Sequence, residues 1–249
     1  MARARIGSAV RRADTLGLVV IFPLVAMSVS GIFAFLLFQQ FSRHHGLAQL
    51  SWGIAMAMYG LASLFVAFGV TGRWDPTLFR GYWLFGALLN VPYLALGSIA
   101  LLRKKVLTTV FALIVAAVSL LALGVVASAH ANVAAIGLRP YDVPLGKDVW
   151  GKGTFVAKMG TYYSIPAYLV VVAIAFLTSR TRHGVKPPVR RVRANWLIAG
   201  GATVVAIGGI VARYGRGVAF SIFLALGVIV MFVGFMMASR PAGVIEAKP

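Results

Sequence analysis

The sequence predicts an all-α protein, a polytopic transmembrane helix bundle with seven spans, and three observations carry that prediction. Hydrophobic residues make up 60% of the 249 residues and charged residues only 12%, against about a quarter in soluble domains. The apolar residues fall in stretches long enough to cross a bilayer, which takes about 20 residues as a helix. None of these stretches contains a charged residue, and in lipid such segments form helices because every backbone polar group needs an internal partner.

Seven stretches of the chain meet this length criterion. Arginines precede the first stretch, as in a signal peptide, but its apolar run exceeds the roughly 7–15 residues of a signal-peptide core. We therefore expect a retained helix, with a cleaved signal peptide as the alternative. Residues 1–15 form a basic N-terminal segment, residues 16–239 the bundle and residues 240–249 a short tail. The predicted spans are 16–38, 47–70, 81–102, 106–129, 161–179, 194–212 and 217–239.

A polar motif interrupts the third predicted helix. Asp75 and Pro76 precede this helix, and we expect Asp75 to cap it while Pro76 takes the first helical position. Asn90, Pro92 and Tyr93 lie in mid-span, and Pro92 predicts a kink because it cannot donate a backbone hydrogen bond. Asn90 and Tyr93 either hydrogen-bond to neighbouring helices or line a ligand cavity at this kink.

The sixth predicted helix carries small residues at a spacing of seven. Ala194, Gly201 and Gly208 therefore share one face of the helix, and small side chains let two helix backbones approach closely. We expect this face to be a packing seam within the molecule, and a homo-oligomer interface is the alternative.

The charge of the chain is strongly asymmetric, since 24 lysines and arginines stand against 5 acidic residues. The basic residues flank the spans, as topology signals and contacts with anionic head groups do, whereas nucleic-acid-binding proteins concentrate charge on a soluble face. The predicted partners are therefore membrane lipids and a membrane-protein partner or second copy, and no nucleic acid. One predicted surface for anionic lipid or a partner comprises Arg180, Arg182, Lys186, Arg190, Arg191 and Arg193.

The orientation prediction depends on where the charges cluster. Basic residues divide evenly between the two faces of the bundle, so their raw number decides nothing. The dense basic clusters 103–105 and 180–193 share one face, and Asp75, Asp142 and Asp148 lie on the other. Because basic loops favour the cytoplasmic side, we expect the N-terminus outside and the C-terminus inside.

The spans contain no acidic residue, lysine or arginine, which excludes several classes of membrane protein. A retinal-binding pump needs a lysine in its last helix, and proton-coupled transporters and intramembrane aspartyl proteases need buried carboxylates. The chain has no cysteine, and its histidines do not lie at matched depths on facing helices, as bis-histidine haem requires. We predict no cofactor, no metal site and no catalytic residue.

One substantial connection, residues 130–160, is expected to lie on the membrane surface. Its acids, Asp142 and Asp148, together with His130 and nearby arginines, would be the reactive groups of an enzyme acting on lipid at the outer face. Such an enzyme needs these side chains to converge in one cleft.

Arginines and aromatic residues also lie near the ends of the spans. Arg73 and Arg80 share a face with this connection, where arginines either form surface ion pairs or bind a phosphate or carboxylate group. Aromatic residues at the span ends, among them Trp52, Trp83 and Trp196, are expected to form an interfacial belt rather than a cofactor cage.

Two stretches resemble a group of uncharacterised multi-pass membrane proteins common in actinobacteria and related bacteria. They are LFRGYWLFGALLNVPYLALGSIALL at Leu78–Leu102 and RYGRGVAFSIFLALGVIVMFVGFMMAS at Arg213–Ser239. The loop fragment LGKDVWG at Leu145–Gly151 is similar as well. The resemblance implies a bundle of six to seven helices in the bacterial cytoplasmic membrane. It implies no activity and no catalytic residue.

Taken together, the sequence predicts a non-enzymatic integral membrane protein, an accessory or lipid- or partner-binding component of the bacterial cytoplasmic membrane. The spans without acids or metal ligands favour this function. One alternative is a carrier or flippase for an apolar or lipid-like solute, with its cavity at Asn90. The other is a membrane enzyme that acts on lipid at the outer face.

Overall fold

Nearly all of the described chain is helical, which confirms the predicted all-α class. The computed structural model describes the backbone of residues 2–137, 142–180, 188–212 and 217–239, and their side chains except those of 2–16, 18, 191, 212, 217, 218 and 239. No β-strand occurs in these ranges, and seven helices are long and apolar enough to cross a membrane.

The helices follow one another through short connections, apart from the segment between α5 and α8. The α-helices are α1 Ala2–His44, α2 Leu47–Phe68, α3 Pro76–Tyr82, α4 Asn90–Ala100, α5 Lys105–Ser128, α6 Val133–Gly137, α7 Gly146–Val149, α8 Phe155–Ser179, α9 Val189–Ala212 and α10 Gly217–Ser239. A first π-helix, Gly69–Arg73, extends α2, and a second, Trp83–Leu89, joins α3 to α4. The third span is therefore the combined helix Pro76–Ala100.

Six of the seven spans form a closed ring, and the remaining span packs on its outside. Around the ring α1 packs on α2 and α10, α10 on α9, α9 on α8, α8 on α4, and α4 on α2. α5 packs on α4 and on the second π-helix. Its outward side chains stay exposed, with Leu113 at 66% and Leu120 at 73% exposure, so α5 presents an apolar surface suited to lipid.

The start of the third span agrees with its prediction. Asp75 Oδ1 accepts hydrogen bonds from the backbone N–H of Thr77 at 2.6 Å and of Leu78 at 2.9 Å. Pro76 occupies the first helical position, where its missing N–H costs nothing. The predicted N-cap is confirmed.

In the middle of the third span, the second π-helix ends three residues before Pro92. Pro92 has no N–H to donate to the preceding turn, so that turn needs another donor. The carbonyl of Ala87 in that turn accepts a 2.6 Å hydrogen bond from the Ser164 hydroxyl of α8. Ser164 therefore ties the third span to α8 at the residue next to Leu88, whose carbonyl would accept the helical N–H that Pro92 lacks.

The connection between α5 and α8, residues 129–154, folds over one end of the bundle and is called the cap. Its residues 138–141 lie outside the described ranges. Val143 joins the core inside the ring, and Ile136, Val149 and Trp150 pack into a second core with the third span. Trp150 is only 5% exposed. These residues of the connection therefore pack against the end of the bundle, and its expected position at the membrane surface stays a prediction.

The seam between α9 and α10 is close enough to need glycine on both helices. A Cβ on Gly201 would lie 2.5 Å from the carbonyl oxygen of Gly227. A Cβ on Gly208 would lie 2.5 Å from Cβ of Phe223, and one on Gly234 would lie 2.8 Å from the carbonyl oxygen of Ala194. In this molecule the small face of α9 is thus covered by its own α10.

Candidate functional site

The two ends of the bundle differ in chemistry. The basic end holds the connections after α1, α4 and α8, and its described cations include Arg43, Arg103, Lys105, Arg180 and Arg193, all exposed. The cap end holds the cap and the turn between the first π-helix and α3. Because the described charged residues of the long helices lie near the helix ends, we look for recognition of charged groups at these two ends.

A small polar cleft opens between α8 and α9 at the basic end. Asn195 Nδ2 donates to Thr178 Oγ1 at 2.8 Å across this seam. These two residues, with Trp52 and Ser98 behind them, line a cavity of about 20 Å³. That volume suits one water molecule and lies far below the roughly 300–1,000 Å³ of a small-molecule pocket.

Two hydrogen bonds hold the back wall of this cleft. Trp52 Nε1 donates to the carbonyl oxygen of Leu94 at 3.0 Å, and Ser98 Oγ donates to the same oxygen at 2.9 Å. The indole of Trp52 lies against Gly97, where a Cβ would come within 2.2 Å of the ring. The wall is therefore rigid, and the polar groups of Thr178 and Asn195 face it across the cavity.

The predicted basic cluster is placed only in part. Arg182 and Lys186 lie outside the described residues, as does the side chain of Arg191. Arg190 Nε donates to the carbonyl oxygen of Met237 at 2.6 Å, which helps to close the last turn of α10. Arg180 and Arg193 are exposed, and Arg180 stacks 4.2 Å above the ring of Phe176. Arg180 follows Thr178 by two residues and Arg193 precedes Asn195 by two, so both arginines lie at the same end of the α8–α9 seam as the polar cleft.

The predicted cavity residues of the third span lie in the packed interior. Asn90 is 4% exposed, and its Oδ1 has no hydrogen-bond partner in the described part of the chain. Pro92 is buried, and the Tyr93 hydroxyl accepts a 3.4 Å hydrogen bond from Ser119 Oγ of α5. The cavity at the basic end is lined by other residues.

The cap end contains an aromatic cluster that the sequence did not predict, although two of its members, Tyr82 and Trp83, were assigned to the interfacial belt. Phe79 is fully buried, and four rings surround it at centroid distances of 5.4–6.2 Å. Those rings belong to Trp74, Tyr82, Trp83 and Trp150. Trp150 comes from the cap, so this cluster joins the cap to the third span. The signal in the sequence was the presence of tryptophan in two connections between spans, Trp74 before the third span and Trp150 in the long connection after the fourth.

Arg80 lies beside this cluster and reaches the end of α5. Its Nη2 donates to the carbonyl oxygen of Ala129 at 2.9 Å, a favourable place for a cation because the C-terminal end of a helix carries partial negative charge. Its Nε is buried without a hydrogen-bond partner in the described residues. The arginine therefore still has donors to offer.

The residues of the predicted lipid-directed enzyme differ in exposure and bonding. His130 and Asp148 are exposed, and Asp142 Oδ1 accepts a hydrogen bond from the N–H of Val143 at 2.8 Å. Among the described residues, no group of three or more His, Asp or Glu side chains is placed to hold a metal ion. Arg213 and Arg216, between α9 and α10 in the sequence, lie outside the described residues.

Comparison with models of known protein families, with curated proteins and with solved structures finds no match. The functional argument therefore depends on the chemistry of the two ends.

Proposed function

We propose that the protein is a non-enzymatic, lipid-binding component of the bacterial cytoplasmic membrane, which holds an anionic phospholipid at the basic end of the α8–α9 seam. The observation that carries this proposal is the polar cleft, which lies at the same end of the seam as two exposed arginines. Arg180 and Arg193 supply the charge, and Thr178 and Asn195, two residues from them along the chain, supply hydrogen-bonding groups. We propose that this end faces the cytoplasm, as its basic clusters favour.

The cleft has the chemistry that a lipid head group requires. Arginine guanidinium groups form charge-assisted, often bidentate, hydrogen bonds to phosphate. Below the polar pair, the seam offers the apolar side chains of Val171, Ile174 and Ile198, which suit the first carbons of an acyl chain. A head group above and a chain below match this order of polarity.

The size of the cleft supports retention of a lipid at the surface of the bundle. A solute that crosses the bundle needs a volume of several hundred Å³, and the cavity at this seam has about 20 Å³. Only the edge of a lipid enters such a space, so the bound lipid stays within its leaflet. A lipid held there is available to a neighbouring membrane protein, which is how an accessory component would act.

The test compares lipid retention by variants in nanodiscs and native mass spectrometry. The protein is reconstituted in phosphatidylcholine with a minor fraction of phosphatidylglycerol, released into mild detergent, and the retained lipids are counted. A hydrogen bond from arginine to a charged phosphate contributes about 1.5–3 kcal/mol. The double variant Arg180→Gln/Arg193→Gln should therefore lose at least about 1.5 kcal/mol, or roughly tenfold, in selectivity for phosphatidylglycerol.

The matched control removes the same charge from the same end but away from the seam. Arg43→Gln/Lys105→Gln alters exposed residues of α1 and α5 and should leave the selectivity nearly unchanged. Equal losses in both double variants would show general attraction without a site and would overturn the proposal. Purification of a clean monomer with no retained lipid and no partner would overturn it as well.

A further inference from the structure

The cap end presents an unusual surplus of buried hydrogen-bond donors. The indole nitrogens of Trp74, Trp83 and Trp150 are buried without a partner in the described part of the chain, and so is Nε of Arg80. Indole and guanidinium groups donate hydrogen bonds and cannot accept them. The group that satisfies them must therefore be an acceptor, and a buried donor left without one is costly.

The positive charge of Arg80 favours an anionic acceptor. No acidic side chain of the described residues forms an ion pair with Arg80, whose hydrogen bond goes to the neutral carbonyl of Ala129. A partly buried guanidinium normally has a counter-ion, because burial of an unpaired charge is expensive. The side chain remains partly exposed, so an anion can approach it from outside the bundle.

The depth of Arg80 fits the phosphate layer of a bilayer. Arg80 lies four residues after Pro76, the first residue of the span, and at about 1.5 Å per residue this is roughly 6 Å along the helix. The 25-residue helix Pro76–Ala100 is about 38 Å long, against about 30 Å of hydrocarbon, so its first turn extends toward the head-group layer. The bond from Arg80 to Ala129 lies just past the end of α5, so the guanidinium is near the end of that helix as well.

We propose that the cap end holds a second site, in which Arg80 and the indole N–H groups of Trp83 and Trp150 bind a phosphate group, supplied by a phospholipid head group. The site is independent of the basic end, because it lies at the opposite end of the third span. Trp150 belongs to the cap, and a phosphate bound there stabilises the cap on the bundle. Arg80 thus has two roles, closing the end of α5 and binding the anion.

The test uses protein labelled with 5-fluorotryptophan, whose 5 tryptophans are followed by fluorine NMR in dodecyl maltoside micelles. Trp83→Phe and Trp150→Phe assign the resonances of the site. Three ligands are titrated: dioctanoyl phosphatidylglycerol, dioctanoylglycerol without phosphate, and inorganic phosphate. We expect a saturable shift of the Trp83 and Trp150 resonances with phosphatidylglycerol and none with dioctanoylglycerol. An Arg80-dependent shift with inorganic phosphate would also support the phosphate site and would make its ligand a soluble anion.

Variants of Arg80 test whether these residues bind an anion or only pack against one another. Arg80→Gln should raise the apparent Kd at least tenfold, since a charge-assisted hydrogen bond is lost, and Arg80→Lys should give an intermediate Kd because lysine keeps the charge without the planar fork. Arg80→Lys also keeps the test valid if Arg80→Gln fails to fold. Trp52 at the basic end reports the other site, so its response should survive in these variants. The proposal is wrong if phosphatidylglycerol leaves the Trp83 and Trp150 resonances unmoved, if Arg80→Gln and Arg80→Lys bind as the parent protein does, or if dioctanoylglycerol gives the same shift.

Discussion

Substitution of Gly201 by alanine tests the α9–α10 seam. A Cβ at this position would lie 2.5 Å from the carbonyl oxygen of Gly227, 2.5 Å from Cγ of Met231 and 2.8 Å from the backbone nitrogen of Met231. The side-chain atom of Met231 can move aside, but the two backbone atoms cannot. The two helices must therefore separate to admit one methyl group.

The cost follows from the rigidity of these neighbours. An extra methyl group in a well-packed core costs about 1–3 kcal/mol, and alanine recovers up to about 1 kcal/mol through its better helix propensity. We expect Gly201→Ala to lower the free energy of unfolding by about 1–2 kcal/mol. Gly200→Ala is the matched control, since a Cβ there meets no atom within 4 Å, and it should be neutral or stabilising.

Reversible unfolding in mixed micelles of dodecyl maltoside and sodium dodecyl sulfate gives the free energies, with tryptophan fluorescence as the signal. Light scattering of each variant in parallel reports its oligomeric state. If Gly201→Ala proves as stable as Gly200→Ala, the backbone contact with α10 is not as close as described. A change in oligomeric state at unchanged monomer stability would instead assign the seam to a contact between copies.

Two further predictions concern the cap end. A Cβ on Gly146 would overlap the ring of Trp83, whereas one on Gly137 would meet nothing within 4 Å. Gly146→Ala should therefore loosen the cap, and Gly137→Ala should not. The chain has no cysteine, so a single cysteine in place of the buried Val149 can report on the cap. Val149→Cys alone should resist maleimide. It should become reactive when combined with Gly146→Ala and stay resistant when combined with Gly137→Ala. Asp75→Ala should destabilise the start of the third span by about 0.5–2 kcal/mol. Asp75→Asn should cost much less, because asparagine also caps helices. Equal losses in denaturation midpoint for the two variants would contradict the capping role.

The fold class and the N-cap could be predicted because they depend on local properties of the chain. Twenty apolar residues without charge have few alternatives in lipid, and Asp75 followed by Pro76 acts on its own helix. The ring order of the helices could not be predicted, since it depends on which faces match across the bundle. The bundle also contains polar contacts between helices, such as Tyr59 Oη donating to the carbonyl of Leu224 at 2.8 Å, and these have no signature in sequence spacing.

The sites were predictable to different degrees for a similar reason. The basic cluster was visible as a run of charges, although Arg190 is used to close α10 and the polar cleft beside Arg180 and Arg193 was not foreseen. The cluster at the cap end was missed because Trp150 lies about seventy residues from Phe79 and Trp83. Only the folding of the cap brings them together, and a belt of interfacial aromatic residues has the same appearance in a sequence.

The distribution of polar groups explains why the chemistry of this protein is concentrated at its ends. Inside the bundle, Trp52 and Tyr59 each donate to a backbone carbonyl of another helix, and so does Ser164. These bonds join neighbouring spans, so the groups that make them stabilise the bundle. The two ends differ from this interior. The basic end displays exposed arginines and a polar cleft, and the cap end holds buried donors that have no acceptor among the described residues. Both ends therefore offer hydrogen-bond donors to acceptor-rich groups, as the two proposed lipid sites require.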